Sequence, residues 1–338
     1  MVDRGSIMLP LKPLVNIADN MFGSTSGCMK SNNVKQKVII DTDAGADDAA
    51  AILLILKSKP KEFEVIAITC SYGNTYVDNV VENVLKILTV ANRSDIPVYK
   101  GVQKALLKEY KPTNFFGSDG LGDFNFTEKI IAKLDNTKHA AVALVDLVNQ
   151  YPDEITILSI GPSTNIATAV ALDPLVLKHL KSHIILGSSV SGIGNVSPNV
   201  EFNFDQDPES NYIVLNNTAI STIFPWETVI NSVSADWRIN TLGKINSTIM
   251  NFLNNAESKT ILRNNEWHPG DVMAAAVMIW PELIKTFIIR NVSPVVDGMA
   301  RGTVLVDYTN STGKPKNAKI IQSFNTTAFQ EVLLEAFS

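Results

Sequence analysis

From Lys37 onward the chain alternates short apolar runs with amphipathic stretches, and each apolar run ends in a polar cluster. That alternation is the pattern of strands joined by crossover helices, and it constrains the fold more than any other feature. Val38-Ile39-Ile40 reads as a strand ending at Asp41, with Ala46 to Leu56 as the helix after it. Val65 to Thr69 and Ile155 to Ile160 read as further strands, followed by helices over Val77 to Ala91 and from Asn165. His183 to Leu186, Ile220 to Phe224, Thr303 to Asp307 and Lys319 to Ser323 are expected strands; Asp271 to Trp280 and Thr327 to Phe337 are expected helices. The expected architecture is α/β: a single large domain over residues 37–338, with a mostly parallel central sheet flanked by helices. Open sheets of this Rossmann-like kind bind ligands outside the carboxyl ends of their strands, so the chemistry is expected on the loops after the apolar runs.

A chain of 338 residues can bury a core of that size. With 45% hydrophobic and 19% charged residues it is ordinary globular material, which excludes a disordered or fibrous reading. Lys and Arg number 29 against 34 Asp and Glu, a net charge of −5 with no basic run, so a nucleic-acid partner is not expected. No stretch approaches the roughly 18 uninterrupted apolar residues of a membrane span, so no membrane partner is expected either. Residues 1–36 are expected to be a tail, poorly ordered or foreign to the native chain. Pro10, Lys12, Pro13, Asn16 and Asp19 interrupt any secretory apolar segment there. The cytoplasm is then the default compartment, with secretion open if a native leader is missing. Cys28 and Cys70 are too few for a disulfide framework, and a bridge between them stays open.

The segment Asp41-Thr42-Asp43-Ala44-Gly45-Ala46-Asp47-Asp48 carries four carboxylates in eight residues, between a strand and a helix. Such crowding raises the pKa of each acid unless a cation or several backbone N–H groups offset the charge. Capping and a solvated turn can use one or two of these acids, not all four. Oxygen-only ligands favour Ca²⁺ or Mg²⁺ over zinc, and the irregular shells that carboxylates, carbonyls, waters and diols build favour Ca²⁺. A further acid, Asp271, opens an apolar helix after Trp267-His268-Pro269-Gly270, where an N-cap is the plain alternative. A third cluster runs from Gly194 to Glu209. Its Asn and Glu side chains can donate to and accept from sugar hydroxyls, whereas Asp207-Pro208-Glu209 reads as a helix start.

Taken in order, the acid loop, Asn74 after the second strand, Gly161-Pro162-Ser163-Thr164-Asn165-Ile166-Ala167, Glu201-Phe202-Asn203 and Asp271 before a small-residue helix resemble the nucleoside hydrolases, the family of inosine–uridine and purine nucleosidases. The resemblance runs from about Val38 to the C-terminus. It implies Ca²⁺-dependent hydrolysis of the N-glycosidic bond of ribonucleosides to ribose and free base. Asp43, Asp48, Asp271 and the carbonyl of Ile160 would hold the metal, and Asp43 would also act as general base on a metal-held water that attacks C1′ through an oxocarbenium-like transition state. Asp47 would accept from the 2′-hydroxyl and Asn203 would hold the 3′-hydroxyl. Asn195 and Glu201 would take the 5′-hydroxyl, and Asn74 would support the water and the ribose. Asp41 would buttress the loop. A homodimer or homotetramer is implied as well.

The chain departs from the family on the side of the leaving base. Gly270 stands where the inosine–uridine branch has a His before the metal Asp, and Phe116 where a base-side His can occur. His268 is the remaining candidate for leaving-group acid, against an ordinary loop residue. Trp267 and Phe116 are candidates for stacking on a purine, against plain core, and point to purine preference. Trp226-Glu227 either lines the base side or is a solvated helix start, and His139, His179 and His183 are taken as structural. Two rival functions remain: an Mg²⁺-dependent phosphohydrolase with Asp41 as nucleophile, and a ribonucleoside-binding protein without turnover.

Overall fold

The computed structural model describes residues 35–338 except Pro60, Asn231 and Asn265, and omits the side chains at 262–264. Cys28 and the expected tail up to residue 34 lie outside the described residues. The boundary at 36 needs correction, because Gln36 already opens the first strand.

Ten strands are present among the described residues: β1 Gln36–Thr42, β2 Phe63–Cys70, β3 Val98–Lys100, β4 Ile155–Ser159, β5 Ser182–Leu186, β6 Ser221–Phe224, β7 Ile284–Arg290, β8 Val292–Pro294, β9 Val304–Val306 and β10 Ala318–Phe324. Eight of them form one sheet in the order β3-β2-β1-β4-β5-β6-β10-β7, parallel throughout except that β7 runs antiparallel to β10. The α/β class and the mostly parallel sheet are as expected. Thr303 to Asp307, expected simply as a late strand, contributes β9 to a separate two-stranded ribbon with β8.

Strand β1 lies between β2 and β4 in the sheet interior, and its side chains alternate between two cores. Val38 and Ile40 join the core on one face of the sheet and Ile39 the core on the other. Burial on both faces is why β1 reads as a continuous apolar run rather than an alternating one.

Two helices position the acidic residues. Ala46–Lys57 comes directly after β1, and Gly270–Ile279 packs against it. Ala49, Ala50 and Ala51 on the first and Ala274, Ala275 and Ala276 on the second are all buried, and small side chains let two helix backbones approach closely. No helix among the described residues is long and apolar enough to cross a membrane.

Candidate active site

The chain winds from β1 to β2 and β3 on one side, then returns to β4, β5 and β6 on the other. The switch falls between β1 and β4, where open α/β sheets form a crevice at the carboxyl ends. Asp41, Thr42 and Asp43 leave β1 at that crevice, beside Ile160 and Gly161 leaving β4. A cavity of about 490 Å³ opens there, within the range of small-molecule sites.

Asp41 is fully buried within the sheet and accepts hydrogen bonds from Thr69 Oγ1 at 2.6 Å and Asn165 Nδ2 at 2.9 Å. Burial pushes its carboxyl up to about 7. It does not line the cavity, which corrects the reading of Asp41 as a nucleophile and leaves it as a buttress. Asp43, two residues on, does line the cavity. Its Oδ2 accepts the N–H of Asn74 at 2.7 Å, while Oδ1 is buried with no partner. A Cβ at Gly73 would collide with this carboxylate, so glycine is required there. The loop then passes through Ala44 at φ 32°, a left-handed conformation that a non-glycine residue adopts only under constraint.

Asp47 and Asp48 sit in the first turn of Ala46–Lys57, where the helix N-terminus favours negative charge. Asp48 is fully buried and accepts from Thr42 Oγ1 at 2.5 Å, the N–H of Gly45 at 2.9 Å and Asn74 Nδ2 at 3.3 Å. Asp271 occupies the first turn of Gly270–Ile279, so the packing of the two alanine-rich helices brings their acidic first turns together. Asp47, Asp48 and Asp271 each place an oxygen within 4.8 Å of the other two, a group that can hold a metal ion. Asp48 also acts electrostatically on Asp43, which lines the cavity beside them. The sequence reading put Asp43 among the metal ligands and Asp47 on the sugar; the group within 4.8 Å contains Asp47, and Asp43 lines the same cavity. The carbonyl of Ile160 faces the same region and accepts Asn203 Nδ2 at 3.2 Å.

Burial raises the pKa of every member of this group. Repulsion adds to it, from Asp48 on both Asp43 and Asp47, and from Asp47, Asp48 and Asp43 on Asp271. Asp48, relieved by its donors, is raised only to about 6. Asp43 Oδ1 and Asp271 Oδ1 are buried oxygens without a donor. An all-oxygen, mutually repelling set with unpaired lone pairs fits a hard divalent cation.

Asp43, Asp47, Asn74, Ile160, Asn203 and Asp271 all line the cavity. Glu201 borders it, buried and accepting N–H bonds from Ser188 at 3.0 Å, Asn203 at 2.9 Å and Phe204 at 3.2 Å. Burial nevertheless pushes Glu201 up to about 7. Asn195 lines the cavity from an exposed loop. The same cavity is lined by aromatic residues, Phe115, Phe116, Trp226, Trp267 and His268. The residues expected to bind metal or substrate therefore line one cavity, apart from Asp48, which joins the acid group without lining it; Asp41 does not line it either. No Lys or Arg is present among the described lining residues.

Other sequence readings are revised. Glu227 is neither a solvated helix start nor part of the cavity wall. One of its oxygens accepts from Ser189 Oγ, Val190 N and Ser191 N at 2.8, 2.8 and 2.6 Å, pinning the loop after β5. His183 is structural but not without partners, since it hydrogen-bonds Ser159 Oγ at 3.0 Å and Ser221 Oγ at 3.1 Å. His139 caps the helix Ala140–Gln150. The sequence reading missed Glu257 on the cavity wall and Asn165 behind Asp41. No motif surrounds Glu257, whereas Asn165 stood inside a quoted motif without a role.

The family model described as inosine-uridine preferring nucleoside hydrolase matches residues 38–331. The chain belongs to this family. Among its relatives, "Probable uridine nucleosidase 2" of Arabidopsis thaliana is 40% identical over 183 residues, 53% of this chain and 56% of that one. This nucleoside hydrolase family member thus spans about half the length of that curated relative. "Non-specific ribonucleoside hydrolase RihC" of Salmonella newport is 28% identical over 89% of this chain and 97% of its own. A solved structure named "Inosine-Guanosine Nucleoside Hydrolase" superposes with a TM-score of 0.81 at 26% identity, covering 89% of this chain and 98% of that one. The three names span uridine, any ribonucleoside and purine nucleosides, so base preference has to be argued from this chain's own cavity.

Proposed function

We propose that this chain is a Ca²⁺-dependent ribonucleoside hydrolase that cleaves the N-glycosidic bond to give ribose and free base, with a preference for purines. The observation that carries the reading is the convergence of Asp47 and Asp48 with the distant Asp271, within 4.8 Å of one another, at a cavity that aromatic side chains also line. A diol-bearing sugar suits the carboxylates and a flat heterocycle the aromatic rings.

Asp43, Asp48 and Asp271, with Asp47 beside them and the carbonyl of Ile160, would hold the cation. Bound there, Ca²⁺ supplies acidification of a water and a grip on a vicinal diol. Asp43 is suited to take the water's proton, because Asn74 fixes Oδ2 and leaves Oδ1 free. As the C1′–N bond lengthens, positive charge grows on the ribose, and the carboxylates around it favour that state over the neutral substrate. Asp47 accepts from the 2′-hydroxyl, Asn203 and Asn74 hold the ring, and Asn195 and Glu201 hold the 5′-hydroxyl. On the base side His268 lines the cavity with Nε2 3.1 Å from Glu266 Oε2 and Nδ1 without a partner. Glu266 orients the ring through Nε2 and leaves Nδ1 as the nitrogen from which a proton would pass to the departing base. Trp267 and Phe116 offer stacking faces, and a bicyclic purine covers more of such a wall than a pyrimidine does.

A reducing-sugar assay on inosine, guanosine and uridine, with and without EGTA, tests the reading. Ribose release that requires Ca²⁺ and runs fastest on the purines is expected. Tight nucleoside binding without ribose would instead establish the binding-protein reading, and phosphate release from phosphomonoesters would overturn the assignment.

A further inference from the structure

Glu257 and Arg238 form a buried ion pair, each side chain 2% exposed, with Nη2 2.6 Å from Oε2. Taking two charges out of water is costly, and two apolar residues in their place are often no less stable, so the pair calls for a specific role. Its remaining contacts are specific. The other Glu257 oxygen, Oε1, accepts the indole N–H of Trp267 at 3.0 Å, and the Arg238 guanidinium lies 5.8 Å from the centre of the same indole. Arg238 Nη1 is held by Asn254 Oδ1 at 2.8 Å, and Trp237 stands 6.2 Å from Trp267. Trp267 and Glu257 line the cavity; Arg238 and Trp237 do not.

We infer that Arg238 and Glu257 are positioning residues that set the plane of Trp267 as the platform for the nucleobase. The inference rests on the proposed function, which places the base against that wall. An indole has a single polar handle, and a carboxylate on it removes the ring's freedom to turn about χ2. Arg238 serves in turn to keep Glu257 fixed and compensated, since a carboxylate buried at 2% exposure without its cation is costly. The base platform is thus built from behind, by residues that need not touch the base.

Single substitutions would leave one buried charge alone and risk unfolding, so paired variants are used. R238M/E257L removes both charges and the acceptor for Trp267; R238M/E257Q removes the charges but keeps an amide oxygen for the indole. Thermal unfolding establishes that each is folded. For R238M/E257L the KM for inosine is expected to rise about tenfold, the scale of one base–aromatic stack, with kcat changing less. The inhibition constant of 1,4-dideoxy-1,4-imino-D-ribitol, which carries the sugar and no base, is expected to hold within about twofold. R238M/E257Q should recover most of the lost inosine affinity. A folded R238M/E257L with unchanged KM, or with KM and the iminoribitol constant rising together, overturns the inference. Quenching of Trp267 emission by free hypoxanthine, taken as the difference from Trp267→Phe, reads the platform without turnover. Loss of that quenching in R238M/E257L and its return in R238M/E257Q would support the platform even if inosine were not a substrate, whereas quenching equal to wild type would overturn it.

Discussion

Replacing Asp271 by asparagine should make the cation-free protein more stable while removing its response to calcium. Asp47, Asp48 and Asp271 place oxygens within 4.8 Å of one another, and two charges at that separation repel by about 3 kcal/mol at an effective dielectric near 20. An asparagine keeps the shape of the side chain, carries no charge, and can donate to the Asp48 carboxylate. For a domain of this size each kcal/mol is worth about 2 °C in Tm, so Asp271→Asn should melt above wild type in EGTA at about pH 7.5, by up to about 6 °C to the extent that Asp271 is ionised there. Added Ca²⁺ at about a hundredfold excess over its Kd should stabilise wild type by about 2.7 kcal/mol, or about 5 °C, and the variant hardly at all.

The pH dependence gives the same reasoning a sign. Asp48 is raised from 3.8 to about 6, so the folded state binds its proton more tightly than the unfolded chain does. That contribution is fully present below pH 3.8 and is lost as pH rises to about 6, about 3 kcal/mol in all without a cation. Calcium should flatten that limb of the curve for wild type. The measurements are thermal and urea unfolding from about pH 4 to about pH 8, with EGTA and with Ca²⁺. A variant that melts below wild type in EGTA and gains as much from calcium would show that the three acids are not a repelling metal site.

Three further predictions concern the rest of the site and its scaffold. His183 is buried, and desolvation lowers its pKa from 6.5 to about 4, so stability should fall by about 3 kcal/mol as pH drops through that window. The difference between wild type and His183→Gln in urea midpoints isolates this contribution; parallel curves would refute it. 2′-Deoxyinosine would leave Asp47 and one cation position without the 2′-hydroxyl, at about 1–3 kcal/mol each, so kcat/KM should fall at least about thirtyfold relative to inosine. Comparable values on the two substrates would remove Asp47 from the 2′-hydroxyl. His268→Gln should lower kcat for inosine by about a hundredfold or more with little change in KM, as for loss of a general acid, and a kcat within about threefold of wild type would reassign the proton to another donor.

The parts of the fold that could be read in the sequence are those where burial imposes a pattern. Strand β1 is buried on both faces and shows an unbroken apolar run; the helix Gly270–Ile279 is buried on every side and shows ten residues with a single charge. Strand β7 left no such trace, because it is an edge strand with Lys285, Thr286 and Phe287 exposed, and β3 is three residues long. The acid loop could be read because four adjacent carboxylates have few uses without a cation. Arg238 and Glu257 could not, because single charged residues are nearly always solvated and nothing in their spacing reveals burial.

Asp41 and Asp43 show where such reading stops. They are the same residue type, two positions apart, and the rise of a strand separates them by only about 7 Å. Asp41 falls inside β1, opposite Thr69 and Ser159 on the flanking strands, where a carboxylate must spend its lone pairs on Thr69 and Asn165. Asp43 falls just past the strand, where β1 and β4 part and the crevice opens, so one of its oxygens is free for chemistry. Composition and spacing cannot separate a phosphohydrolase's nucleophile from a buttress at that distance; the residue at which strand pairing ends does. In this chain the outer member of the acidic pair therefore borders the cavity, and the inner one belongs to the scaffold.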